Sequence, residues 1–422
     1  MFRRFYLLNK KGFLQYKEKF SNGALFSPLL LVPLILVIIS GILIKSIQGD
    51  SLLANYSSHI LTGFLGYFLA YFISYIPLER LRNYVIPFYL CTLISLILIY
   101  FVGISVSGAQ RWINLGILSF QPSEVAKIST ILALALVIDK KLILKIGDLF
   151  LPLIVVICPW LLIFFQPDLG TSLVLLVLTG VMLYWSRMPI EWILIFVFCI
   201  VTSIIYLTLP NILIFWIPFI GYLAYRASKK KIIFPFLAIS FHLLVAKLTP
   251  ILWEYGLKEY QKDRLVLFLD PNRDPLGGGY HLLQSKIAIG SGGFFGSGLL
   301  QGELTNLQFI PEQHTDFIFT ALGEELGFAG CVIVIFLFFF LIYKLINIAK
   351  SARSEFESLI VIGIAATFLF QIIINIFMTI GLGPVTGIPL PFMSYGRTAL
   401  VTNFISMGFV LSIVKRSRSL RD

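Results

Sequence analysis

The chain has 422 residues, of which 58% are apolar and only 13% charged, and its mean hydropathy is +0.92. Soluble domains carry about 25% charged residues, so a water-soluble fold is excluded and lipid must cover part of the apolar surface. The formal charge of +12 is spread over the gaps between apolar runs and the two ends of the chain, which excludes a nucleic-acid groove and reads as membrane topology.

A hydrocarbon core of about 30 Å needs roughly 20 residues of helix, and helix is required because lipid offers the backbone no hydrogen-bond partners. Apolar runs predict spans at 27–46, 58–77, 84–103, 122–138, 147–165, 169–185, 190–208, 211–225, 232–250, 316–343, 357–380 and 397–414. The short run at 211–225 leaves the count between ten and twelve. The first run lacks a small-residue cleavage site and predicts a retained span, not a signal peptide. Cys91, Cys158, Cys199 and Cys331 all lie inside apolar runs without metal-like spacing, as small packing residues do.

With the N-terminus inside, the segments assigned to the cytoplasm hold 23 of the 33 Lys and Arg residues, which predicts both termini on that side. The expected organisation is an all-α polytopic membrane protein. It has a cytoplasmic segment 1–26, a single membrane domain 27–414 and a cytoplasmic tail 415–422. Residues 104–121, 166–168, 251–315 and 381–396 then fall on the outer face. Segment 251–315 is the only long extramembrane stretch, and loops of that length are usually functional or disordered.

Polar residues gather at the outer ends of the spans in four places. The first, at 108–112 and 120–127, holds Arg111, Trp112, Gln121, Ser123, Glu124 and Lys127. Ser123 and Glu124 suit a helix start. Lys127 lies one turn into an apolar span, where a charge costs about 2.5–3.5 kcal/mol and needs a partner, a cavity or a route to the interface. The second is Asp168, set in a turn between two apolar helices, where an N-cap and a direct role are both open.

The third place is the long loop. Leu257, Tyr260 and Leu265 within 253–265 are at helical spacing and predict an amphipathic helix on the membrane surface. Gly277, Gly278 and Gly279 follow, then Gln284, Ser285 and Lys286, then a glycine run ending at Gly298. Glycine at this density lets backbone amides approach an anion, although no Gly-Lys-Ser/Thr ending of a nucleotide loop is present. The fourth place holds Glu312, His314 and Asp316 and runs into a span carrying Glu324 and Glu325. Thr315 or Asp316 could cap that helix, whereas a buried carboxylate pair without partners would be costly.

One chemistry accommodates all four clusters. A pyrophosphate leaving group needs cations and aimed amides, and an attacking hydroxyl needs a carboxylate base. Arg111, Lys127 and Arg264 are candidate charge stabilisers and Asp316 the candidate base. A Lys127–Asp316 pair across the cavity would keep both ionised.

The motifs GAQRWINLG (108–116), FQPSEVAKI (120–128), FQPDLGTSLV (165–174), DPLGGGYHLLQSKIAIGSGG (274–293), FIPEQHTDFIF (309–319), EELG (324–327) and GIPLPFMSYG (387–396) together resemble the SEDS family (shape, elongation, division, sporulation). The wording around GYH and IAIGSGG is similar to its RodA type. The resemblance implies a peptidoglycan glycosyltransferase of the bacterial inner membrane that polymerises lipid II on the periplasmic side during elongation and rod-shape maintenance. It implies Asp316, Lys127 and Glu124 as catalytic residues, with a divalent cation, Mg²⁺ or Mn²⁺, at Asp316. Together with the chemistry above, it makes Arg111, Trp112, Gln121, Ser123, Asp168, Arg264, Gln284, Ser285, Lys286, His314, Glu324 and Glu325 candidate substrate contacts. Implied partners are lipid II, the nascent glycan strand, a class B penicillin-binding protein that crosslinks the product, and other elongation-complex proteins.

This sequence departs from the family pattern at Arg397-Thr398, where a second glycine and a serine are usual, and at Gly296-Ser297-Gly298, where the middle residue is usually lysine. It also adds a hairpin near 190–231 to the usual ten spans, which preserves the sidedness of the long loop. Two other functions compete. A lipid II flippase calls for a mid-membrane polar path and paired repeats. A scaffold for a penicillin-binding protein has no use for Lys127, Glu324 and Glu325 within apolar helix.

Overall fold

The computed structural model describes residues 27–48, 55–106, 109–114, 119–140, 146–227, 232–270, 274, 279–307 and 313–419. The predicted segment 1–26, Gly108, Gly277, Gly278, Glu312 and the last three residues of the tail lie outside them. The helices are α1 (Pro28–Gln48), α2 (Tyr56–Ile73), α3 (Val85–Val102), α4 (Pro122–Lys140), α5 (Phe150–Phe165), α6 (Leu169–Trp185), α7 (Ile190–Thr208), α8 (Leu213–Ala227), α9 (Ile233–Ile251), α10 (Glu259–Leu269), α11 (Tyr280–Ser291), α12 (Ile318–Ser351), α13 (Glu355–Ile380) and α14 (Arg397–Ser419).

Helices α1 to α9 and α12 to α14 occupy the predicted apolar runs, and among the described residues eight helical stretches are long and apolar enough to cross a membrane. Helix α6 is apolar but shorter, and α4 is diluted by Glu124, Lys127, Asp139 and Lys140. Helix α13 is the hub. It packs on α12, α6 and α4, and 72% of its apolar window is buried, against 17–22% for the windows of α3, α7 and α9. Those three show large apolar side chains such as Ile94, Ile200 and Leu244 outward, as lipid-facing helices must.

Helices α7, α8 and α9 pack on one another around a small core of Ile195, Ile220, Ala224 and Ala238, separate from the main one. Within it, buried His242 of α9 bonds Thr202 at 2.7 Å and the Ile195 carbonyl at 3.0 Å on α7. The extra hairpin read from the sequence therefore belongs to a peripheral three-helix group and leaves the hub untouched.

Local structure departs from the all-helical expectation in one place. The described residues between 104 and 120 form a small antiparallel sheet of β1 (Ile104–Val106), β2 (Ala109–Asn114) and β3 (Ser119–Phe120), with Ile104 opposite Trp112 and Ile113 opposite Phe120. The strands satisfy one another's backbone groups, and the sheet sits at the ends of α3 and α4. The amphipathic helix also starts later than its spacing suggested. A wide π turn at Leu252–Gly256 and an extended Leu257 precede α10.

The glycine-rich part of the long loop has a structural task. Helix α12 has 34 residues and is broken at Gly327, whose φ of +63° and ψ of −164° are not helical. At the break the i to i−4 ladder fails for Phe328 and Ala329. Their N–H groups instead donate to the Gly293 and Phe294 carbonyls at 2.9 and 3.0 Å, while the orphaned carbonyls of Glu324 and Glu325 accept from the Ser297 and Gly298 N–H groups at 2.9 and 3.1 Å. The loop thus repairs the helix, as a break inside an apolar bundle requires. Close approach forbids side chains here: a Cβ on Gly292 would lie 2.0 Å from the Gly323 carbonyl oxygen. Gly292→Ala is expected to destabilise the protein by about 1–3 kcal/mol, measured by denaturation of detergent-solubilised protein. An unchanged unfolding midpoint would show that the loop is not tightly held.

Candidate active site at one end of the bundle

Three segments meet where α12 begins, α13 ends and α14 begins. The turn 313–317 presents Asp316, the 381–396 loop presents Gly387, and α10 presents Arg264. A Cβ built on Gly387 would lie 3.4 Å from Asp316 Oδ2 and 3.5 Å from Arg264 Nη1, so carboxylate and guanidinium both come within contact distance of this backbone position. Gly387 also has φ of +70°, a conformation that glycine adopts without penalty. His281 of α11 stands behind this pair, its ring 6.3 Å from Phe317. Burial, and next the nearby Arg264 charge, hold its imidazole below the ordinary pKa, which favours the neutral ring.

A second charge pair flanks the same loop. Asp168 caps α6, accepting from the Thr171 N–H at 3.2 Å and the Thr171 hydroxyl at 2.9 Å. Its Oδ1 also lies 3.7 Å from Arg111 Nη1, and Arg111 donates to the Pro167 carbonyl. Asp168 thus caps the helix and pairs with Arg111 at once. Gly170 packs against this loop: a Cβ there would meet Ile388 Cγ1 at 2.8 Å and the Thr386 carbonyl oxygen at 3.1 Å. Residues 386–388 accordingly meet the start of α6, where Asp168 holds Arg111, through Gly170, and meet Arg264 and Asp316 at Gly387. Trp112 is half-buried on the same strand as Arg111, and Gln121 is half-buried just before α4.

The third group is deeper. Lys127 Nζ pairs with Glu124 on its own helix, 2.9 Å from Oε1 and 2.8 Å from Oε2, and both side chains are buried. The expected Lys127–Asp316 pair is therefore replaced by a Lys127–Glu124 pair. The i, i+3 spacing makes that contact local and inexpensive to form. Both residues line a small cavity with Thr367, Phe368, Thr402, Asn403 and Ser406. Phe368 is seven residues before Asn375, the α13 residue that contacts Asp316, so the cavity lies about 10 Å further along the α13 axis. Ser123 is buried at the start of α4.

Glu324 and Glu325 are engaged with the loop. Glu324 accepts from the Leu304 N–H, the Thr305 N–H and the Thr305 hydroxyl at 2.8, 3.0 and 2.6 Å, and Glu325 accepts from the Leu300 N–H at 3.2 Å. The amides of Ser297 and Gly298, in the glycine run whose density would let amides approach an anion, are equally occupied. Ser285 is buried between Thr320 and the Thr379 carbonyl, at 2.6 and 2.7 Å. Lys286 folds over the left-handed Gly381 that ends α13, where a cation suits the helix dipole. Gln284 is half-buried on the same helix. The ring of His314 lies 5.7 Å from Tyr395.

Sequence reasoning missed Asn375. It is fully buried and donates to the Asp316 carbonyl at 2.9 Å and the Ile388 carbonyl at 2.8 Å. A buried amide in an apolar 26-residue helix, here one turn after a second at Gln371, is a signal in its own right, because polar groups at membrane depth are costly and need partners. Among the described residues no group of three or more His, Cys, Asp or Glu could hold a metal ion by protein ligands alone.

Comparison with known proteins places these features. The family described as cell cycle protein, FTSW_RODA_SPOVE, matches residues 23–216 and 212–419. The peptidoglycan glycosyltransferase MrdB of Escherichia coli is 34% identical over 386 residues, covering 91% of this chain and 92% of that protein. The peptidoglycan glycosyltransferase RodA of Treponema pallidum is 33% identical, covering 87% and 92%. A chain from the solved structure of a peptidoglycan synthase complex that coordinates polymerization and crosslinking superimposes with a TM-score of 0.69 at 28% identity, over 93% of this chain and 98% of that one.

Proposed function

Because the chain belongs to the FtsW/RodA/SpoVE family of cell cycle proteins, we propose that it is a peptidoglycan glycosyltransferase that joins lipid II units into glycan strands at the outer face of the inner membrane. The observation that carries the assignment to a site is the convergence of Asp316 and Arg264 on Gly387. It supplies a base and a cation around a backbone position without a side chain, as transfer from a pyrophosphate demands.

In this reaction the 4-hydroxyl of an incoming lipid II acceptor attacks the anomeric carbon of the growing strand. The new C–O bond forms as the bond to the pyrophosphate breaks, with inversion. Asp316 takes the hydroxyl proton, and undecaprenyl pyrophosphate leaves with the bonding electrons. Arg264 and Arg111 offset the charge of the departing group. Asp168 orients Arg111, with which it shares the flank of the 386–388 loop. A divalent cation fits the donor set only with help from substrate, since Mg²⁺ is commonly held by one or two carboxylates together with substrate phosphates. Asp316 would supply that carboxylate, and the cation would neutralise the pyrophosphate. A class B penicillin-binding protein is the partner expected to crosslink the product, consistent with the complex that contains the structural neighbour.

Full-length protein purified in detergent and given lipid II is expected to produce glycan polymer, resolved by gel electrophoresis. Detergent is chosen because translocation cannot occur without a bilayer, so polymer separates an enzyme from a flippase. Persistent absence of polymer, with and without the crosslinking partner, would overturn the assignment.

A further inference from the structure

Segment 313–317 is a run of turns with neither a helical nor a strand ladder of its own, so its backbone must find partners elsewhere. Three successive carbonyls do so. That of His314 accepts from the Tyr395 N–H at 2.9 Å, that of Thr315 from Ser394 Oγ at 2.6 Å, and that of Asp316 from Asn375 Nδ2 at 2.9 Å. Both side chains also tie down the facing loop. Asn375 Nδ2 donates to the Ile388 carbonyl at 2.8 Å, and Ser394 Oγ accepts from the Leu390 N–H at 2.7 Å. Each therefore bridges the segment bearing the carboxylate and the segment bearing Gly387, the two backbones whose separation sets how far Asp316 stands from the Gly387 position.

We propose that Asn375 and Ser394 are positioning residues that lock the Asp316 segment to the Gly387 loop and so fix the carboxylate in its working place. This rests on the role given to Asp316 above. Asn375 is fully buried and Ser394 nearly so. Neither is offered as touching substrate, so their effect passes through Asp316.

The test uses full-length protein in detergent with lipid II, comparing Asn375→Leu, Ser394→Ala, Ser394→Thr and Asp316→Asn with wild type. Leucine matches the shape of asparagine without its donor, and threonine keeps the hydroxyl that alanine removes. Misplacing a reacting group by about 1 Å can cost on the order of 100-fold. Asn375→Leu and Ser394→Ala are accordingly expected to lower kcat by about 10- to 100-fold with KM changed less than about twofold. Their unfolding midpoints should fall, because each leaves buried backbone groups without a partner, but the loss of kcat should exceed what that fall explains, and Ser394→Thr should recover most of kcat. Wild-type kcat in both Asn375→Leu and Ser394→Ala would overturn the proposal. So would losses of kcat that merely track lowered unfolding midpoints and are not recovered by threonine. An active Asp316→Asn protein would instead bring down the underlying assignment, an outcome distinguishable from either.

Discussion

Asp316→Asn is expected to lower glycan polymerisation below detection while leaving the protein folded with an unchanged unfolding midpoint. A general base alone contributes about 10²- to 10⁴-fold. Loss of the carboxylate also removes the one protein ligand proposed for the cation, so the combined effect exceeds the base term. The prediction of unchanged stability has a separate origin. The Asp316 segment is held by hydrogen bonds to the main-chain carbonyls of His314, Thr315 and Asp316, and an amide in place of the carboxylate leaves all three intact. The measurement is strand synthesis from lipid II beside a thermal or chemical unfolding curve in the same detergent. Strands of normal yield and length from the asparagine variant would refute the role of Asp316.

Lys127→Ala is expected to cost both stability and activity. Glu124 would remain buried, with a relative side-chain exposure of 3%, next to the space left by the ammonium. Removing one partner of a buried ion pair typically costs about 3–5 kcal/mol because the other charge loses its compensation. Glu124 lies in the first turn of α4, where the helix dipole favours a carboxylate, whereas the same dipole disfavours Lys127. The pair is therefore asymmetric, and Glu124→Gln should be tolerated less well than dipole arguments for Glu124 alone suggest. A double variant, Glu124→Leu with Lys127→Met, separates the two consequences. Hydrophobic replacement of a whole buried pair is often neutral for stability, so the double variant should regain much of the midpoint lost by Lys127→Ala. Polymerisation should stay low if the cavity formed with Thr402, Asn403 and Ser406 needs its charge. Recovery of both stability and strand synthesis would reduce the pair to a packing element.

The two variants probe different depths of the same bundle, and that difference bears on how the site works. Asp316 and Arg264 reach Gly387, and Gly170, two residues after the Arg111-paired Asp168, packs on Thr386 and Ile388, while Lys127 and Glu124 sit about two turns of α13 away. Lys127 therefore acts at a distance from the proposed base and does not neutralise it by direct pairing. Its loss is expected to alter the shape and polarity of the space beneath the reacting groups.

Much of this protein was written in its sequence because the medium a residue meets is a property of the residue itself. About 20 apolar residues in a row must be a helix in lipid, whatever surrounds them, so the helical runs from Pro28 to Ser419 were legible one at a time. The ionisable residues near the ends of those runs, Lys127, Asp168 and Asp316 among them, stood out for the same reason. Which groups meet was not legible, because it depends on the depth and rotation of helices far apart in the chain. Tertiary structure decided that Asp316 stands apart from the local Lys127–Glu124 pair, that Ser297 and Gly298 repair the break at Gly327, and that Asn375 of α13 grips the carbonyls of Asp316 and Ile388. A hydrogen bond needs two partners within about 3 Å. The partners of a side chain one hundred residues away cannot be read from a pattern that repeats every 3.6.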